Sequence, residues 1–293
     1  MSFEISTAFV QDYKNTVDFL LQQKGSKLRE AVTMDTYTGK AGKAVEQIGA
    51  VTAQKKTSRH SDTPLISTPH DARWVFPEDY EWADLIDNQD KLRMIIDPTS
   101  PYAINGAMSL GRSQDDEIIS AFFGTNKTGE NGTTSTTFPA GNQVAVTVGA
   151  GSATGMNIAK LRAGKKILMA NEVDLDSDQL FVAITAEQHD DLLGEAQAVS
   201  LDYNDKPVLV DGRITSFMGF NFINIERLDV NGSSQRRCPM WAKSGMHLGM
   251  WDDISAEVTP RADKSYATQV YVSGTFGATR LEEGKVVEVI CAE

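Results

Sequence analysis

The chain is poor in the residues that most often carry chemistry. It has two cysteines and four histidines in 293 residues, and no run of about 18 apolar residues. Two cysteines, Cys238 and Cys291, cannot staple a small secreted fold, and they read as reduced thiols. The Asn-x-Ser/Thr matches at Asn126, Asn131 and Asn231 then read as chance sequons in polar turns. No His-x-x-x-His or Cys-x-x-Cys spacing occurs, so no metal pattern is present. Without a long apolar run no transmembrane helix, and so no membrane partner, is expected. Met1-Ser-Phe-Glu4 shows no basic segment leading into an apolar one, so no secretory signal is expected. Positive charge is also short. Lys and Arg number 28 against 40 Asp and Glu, a net charge of −12, which is not the electrostatic footprint of a nucleic-acid reader. Neither a Gly-x-Ser-x-Gly elbow nor a phosphate-binding Gly-x-x-x-x-Gly-Lys-Ser/Thr loop is found.

Three places could still hold chemistry. Val144–Val148 reads as a short strand running into Gly149-Ala-Gly-Ser-Ala-Thr-Gly155 and a helix over about Gly155–Ala163. Such glycines let backbone N–H groups approach a pyrophosphate at a helix N-terminus, with Glu172 placed to meet a ribose. That makes a nucleotide-dependent oxidoreductase one reading. Against it, the spacing is Gly-x-Gly-x-x-x-Gly and no Tyr-x-x-x-Lys exists anywhere in the chain. His189-Asp-Asp191 suggests a metal, but neighbours on a helix point in different directions, so a surface helix is preferred. His247, within Gly245–Gly249, is expected in a packed turn. No catalytic, cofactor-binding or metal-binding residue is assigned, and no cofactor is expected.

What the chain does have is an uneven distribution of charge and a distinct order of segments. Residues 1–75 carry ten Lys/Arg and eight Asp/Glu, so the remainder is strongly acidic. Between Lys40 and His60 five basic residues face a single acid, Glu46. Phe9, Val10, Tyr13, Val17, Leu20 and Leu21 fall at helical spacing and predict an amphipathic segment within 4–34. Val45–Phe76 reads as a two-stranded excursion with a polar tip at Thr52–His70, needing a partner surface because an isolated hairpin is marginal in water.

The best local signal follows. Ser100 is a good N-cap, Pro101 suits the first helical turn, and apolar residues from Ile104 to Phe122 recur at spacings of three and four until Gly124. A helix over Pro101–Phe123 is predicted, roughly 35 Å long at 1.5 Å per residue. Arg112 and Asp115 form an i,i+3 pair on it. Thr125–Asn142 predicts a loop or hairpin tip. Leu180–Ile184 reads as a buried strand, followed by a capping box at Thr185 and Gln188. Phe217–Ile225, Gln269–Phe276 and Lys285–Cys291 read as further strands. The fold class is α+β.

This order resembles the major capsid protein of tailed phages, the Hong Kong 97-type shell fold. Ser100-Pro-Tyr through Phe-Phe-Gly124 is similar to the family's spine helix, with Arg112, Asp115, Ile118 and Ala121 matching an Arg-x-x-Asp-x-x-Ile-x-x-Ala pattern. The resemblance implies an N-terminal arm (1–44), an extended loop (45–77), a peripheral domain (78–174) holding the spine helix (101–123), an axial domain (175–252) and a return to the peripheral domain (253–293). It implies a non-enzymatic subunit of an icosahedral head, assembling in the host cytoplasm into hexamers and pentamers around double-stranded DNA and residing in the virion. Its partners would be many copies of itself, a separate scaffolding protein, a portal and, in some members, a decoration protein. Lys55, Lys56, Arg59, Arg112 and Asp115 are the expected inter-subunit contacts. Some family members join a lysine to an asparagine covalently, and Lys55 and Lys56 lie in the matching loop. An encapsulin-type nanocompartment shell is the neighbouring alternative.

Overall fold

The computed structural model describes residues 21–60, 62–63, 65–87, 99–195, 209–210 and 213–293. Strands β1 (Thr33–Thr36), β2 (Gly42–Ile48), β3 (His70–Val75) and β4 (Glu78–Ile86) precede helix α1 (Thr99–Phe123). Then come β5 (Asn126–Thr128), β6 (Thr134–Thr136), β7 (Gln143–Val144), α2 (Ile158–Ala170), β8 (Leu180–Ile184) and α3 (Ala186–Gly194). The chain closes with β9 (Leu209–Val210), β10 (Arg213–Ile214), β11 (Ser216–Phe217), β12 (Phe220–Asn224), β13 (Arg236–Ala242), β14 (Met246–Arg261), β15 (Ala267–Arg280) and β16 (Val286–Cys291). The predicted α+β class holds. The amphipathic segment expected within 4–34 lies mostly outside the described residues; its described end is a short 3₁₀ turn, Arg29–Ala31, and then β1.

The chain divides into two compact units, neither of them contiguous in sequence. One contains Met1–Gly25, Tyr80–Arg112 and Ile254–Gly274; the other contains Ser26–Asp79, Ser113–Asp253 and Thr275–Glu293. The chain therefore passes between them five times.

The larger unit is built on a six-stranded mixed sheet ordered β11-β12-β8-β13-β16-β7. Its centre is apolar in alternate registers. Met240 stands opposite Val182 on one side and Val287 on the other, and all three are fully buried. Trp241, also fully buried, stacks near Phe181 and Phe122 and donates its indole N–H to the Ala31 carbonyl at 2.9 Å. Helix α2 lies on β16 through Leu161, Gly164 and Leu168. Gly164 makes that approach possible, since a Cβ there would stand 2.6 Å from the Met240 sulfur. A second sheet, β2-β3-β5-β6, is antiparallel throughout.

In the smaller unit the first turns of α1 pack closely on β4 and β15. A Cβ at Gly106 would meet Trp82 at 2.5 Å and Val272 at 2.7 Å. Gln22 and Asn105 are joined by a 3.1 Å hydrogen bond.

Several segments differ from the sequence expectation. The strand expected at Val144–Val148 is only Gln143–Val144, because β16 offers it a partner at Glu288 and Val289 alone. Helix α2 starts at Ile158, not near Gly155, because Asn157 caps it: its side chain accepts from the Lys160 N–H. His247 lies in β14, not in a turn, and β13 and β14 were not foreseen.

Candidate assembly surface

Strands β2 and β3 form the two-stranded excursion, registered from Gly42 opposite Val75 to Ile48 opposite His70. The Gly49 N–H reaches the Pro69 carbonyl at 2.8 Å, and the described residues beyond that point have no strand structure. Residues 49–60 are all exposed, including Lys55, Lys56 and Arg59. So are Ile48 (68%), Val51 (52%) and Leu65 (100%). An extended tip with uncovered aliphatic side chains and a basic cluster is suited to lying on another surface.

The base of this hairpin is firmly rooted. Arg73 on β3 is 7% exposed; its Nε donates to the Leu281 carbonyl at 3.0 Å and its Nη2 to Glu283 at 2.8 Å. Gln47 on β2 donates to the same Leu281 carbonyl at 2.7 Å. Glu283 also lies 4.0 Å from the buried guanidinium of Arg280. Arg280 in turn closes helix α1, its Nη1 donating to the carbonyls of Phe122 (2.7 Å), Ala121 (3.2 Å) and Gly124 (3.2 Å). Burial pulls the Arg280 pKa down to about 10 against the opposing pull of Glu283. One polar cluster thus connects the hairpin base to the C-terminal end of the long helix. Sequence reading missed Arg73 and Arg280. A buried arginine has no signature in sequence, although both stand in strand-like segments.

The two expected contact residues on α1 are used inside the chain. Asp115 is fully buried, accepting from the Ser26 hydroxyl (2.6 Å) and from the N–H groups of Lys27 (2.9 Å) and Leu28 (3.0 Å). This corrects the expectation that it faces a neighbouring subunit: its carboxylate fixes the chain at 26–28. Arg112, half-buried, donates to the Gln22 side chain at 2.9 Å and the Gln23 carbonyl at 3.1 Å. It too is engaged within its own unit.

The glycine loop is already filled by protein groups. Gly149 and Gly151 have φ of 108° and 73°. Asp191 accepts from the Met156 N–H at 2.9 Å and lies so close to Gly155 that a Cβ there would overlap its carboxylate. Lys160 is fully buried and donates to the carbonyls of Thr154 (2.6 Å), Gly155 (2.9 Å) and Ile290 (2.9 Å). The Gly151 and Thr154 N–H groups are also taken, by the carbonyls of Thr147 (3.0 Å) and Val146 (3.1 Å), and the preceding strand is too short for a dinucleotide fold. His189 accepts from the Ile214 N–H at 3.3 Å, so it works as a structural acceptor. Among the described residues no group of three or more His, Cys, Asp or Glu is placed to hold a metal.

His247 ties β1 to β14. Thr33 Oγ1 donates to the Met246 carbonyl at 2.7 Å, which leaves it to accept from His247 Nδ1 at 3.1 Å. Nε2 then accepts from the Tyr37 hydroxyl at 2.8 Å. Burial holds the His247 pKa below its ordinary value, the nearby Asp35 pulling the other way.

Comparison with known proteins agrees with this geometry. The capsid of the cyanophage P-SCSP1u superposes with a TM-score of 0.75 at 13% identity, covering 100% of this chain and 96% of that one. The cyanophage Pam1 capsid gives 0.71 at 13% identity, over 99% and 98%. The mature capsid of bacteriophage PhiM1 gives 0.70 at 11% identity, over 97% and 92%. At such identities the likeness is one of fold. No curated protein matches the sequence. The family model described as phage capsid protein matches residues 5–293. Neither the nanocompartment nor the oxidoreductase reading is favoured by these findings. A rooted, projecting hairpin, a long helix closed by a buried arginine and a match over nearly the whole length converge: the chain belongs to the phage capsid protein family and is a structural subunit of a viral shell.

Proposed function

We propose that copies of this chain form the hexamers and pentamers of a closed icosahedral head around double-stranded DNA, assembled in the host cytoplasm with a separate scaffolding protein and a portal. The projecting hairpin carries this reading. Its tip exposes Val51, Leu65 and Ile66 beside Lys55, Lys56 and Arg59, while its base is fixed through Arg73. A basic, partly apolar tip on an acidic chain complements the surface of another copy. The apolar side chains add attraction as they leave water, roughly 25 cal/mol per Å². The domain division expected from the resemblance, with an axial part at 175–252 and a peripheral part around α1, remains our assignment. The role of the subunit is structural and non-catalytic.

Size-exclusion chromatography with light scattering and negative-stain microscopy of the expressed chain is the direct test. Shells, capsomers or sheets support the reading, with or without an added scaffold. A chain that stays monomeric even when co-expressed with its neighbouring head genes, yet changes its tryptophan fluorescence with millimolar dinucleotide, overturns it.

A further inference from the structure

Helix α2 carries Lys160, Arg162, Lys165 and Lys166 and no acidic residue, in a chain whose net charge is −12. Its inner face is committed to the sheet through Leu161, Gly164 and Leu168. Its outer face borders an open groove of about 710 Å³, walled by the small side chains of Ala159, Ala163 and Ala170 and by Met169 and Met218. Met169 is 59% exposed. Lys165 is turned aside, its Nζ donating to the Met218 carbonyl at 2.8 Å, which fixes the β11–β12 turn as one wall. Arg162 and Lys166 are exposed and have no hydrogen-bond or ion-pair partner among the described residues.

We propose that this groove docks an acidic amphipathic helix from another protein, with aliphatic side chains against the alanines and methionines and carboxylates on Arg162 and Lys166. Small side chains let a partner helix approach, and methionines adapt to varied apolar surfaces. These two cations, unpartnered among the described residues and set beside the groove of an acidic chain, favour a negative partner. The apolar walls separate this from a phosphate-binding strip, which needs no methionine and leaves apolar surface uncovered. None of the groove's lining residues belongs to the projecting hairpin.

The test is a fluorescence-anisotropy titration of the full-length chain with a labelled synthetic peptide. The peptide is about 18 residues long, enough to hold a helix, with leucines on one face and glutamates on the other. Saturable binding is expected, weakened about tenfold or more by Arg162→Glu with Lys166→Glu. Ala170→Trp, which fills the groove without changing its charge, is expected to weaken it similarly. Each variant is first shown to melt like the parent chain. A scrambled peptide of the same composition binding equally well would overturn the proposal, since charge alone would then explain it. So would binding of the designed peptide unchanged by either variant, no binding at all, or a labelled DNA duplex binding more tightly and losing that affinity with the charge reversal.

Discussion

A few buried polar residues determine how this chain is held together. Asp115 satisfies two backbone N–H groups and a hydroxyl from the segment 26–28. Asp115→Ala leaves those donors buried and is expected to lower stability by about 2–4 kcal/mol, whereas Asp115→Asn, which keeps one acceptor, costs less. Thermal or urea unfolding reads the difference. Arg280→Leu strips three helix-end carbonyls of their donor and should cost about 2–4 kcal/mol. Acid should act in two stages. His247 is held neutral by burial, so its contribution is full above the ordinary value of 6.5 and declines as pH falls below it. Glu293 is held to about 2, chiefly by its bond with Arg236, and its contribution disappears as pH falls from 4.5 toward 2. Melting temperature measured from pH 8 to 2 should show both declines, and His247→Gln should remove the first.

At the scale of elements, the sequence revealed what carries its own periodicity. Helix α1 was visible because Ile104, Met108, Ile118, Ile119 and Phe122 share a helical spacing and Gly124 ends it; its observed start, Thr99, lies two residues earlier. The capping box at Thr185 and Gln188 was legible, since both of its bonds are local. Strand β14 was not. Its first residues are buried on both faces and its later ones mostly exposed, so no alternation marks it, and Pro260 argues against a strand. The glycine loop misled because its residue types fit a phosphate cradle, while Lys160 and Asp191, which fill it, come from other elements. Within α2, Gly164→Val should cost about 1–3 kcal/mol by overpacking against Met240, measurable by denaturant unfolding.

For the whole molecule, assembly and folding should be separable. Replacing residues 50–68 by a short glycine turn removes the exposed tip and leaves the rooted pairs from Gly42–Val75 to Ile48–His70 in place. The expected product is a folded chain, with unchanged circular dichroism, that forms no shells by negative stain. Lys55→Glu, Lys56→Glu and Arg59→Glu together should weaken assembly in a salt-dependent manner, since they invert the sign of the tip. The contact role of these three was an expectation from the hairpin and its charge. Which surface receives them depends on a second copy, and a single sequence carries no trace of that geometry.

The two units are interleaved along the chain, and this has a consequence for biosynthesis. The smaller unit needs residues 80–112 and also 254–274. Its last part leaves the ribosome only after residues 113–253, which belong to the other unit, have been made. At about 5–20 residues per second, the roughly 130 residues separating the end of α1 from that part take about 6–26 seconds to translate. During that interval the apolar face of α1 around Gly106 lacks Val272, the side chain that finally covers it. Nascent chains therefore pass through an obligatory window of exposed surface, in which a chaperone has something to hold and premature pairing between neighbouring nascent chains has something to start from.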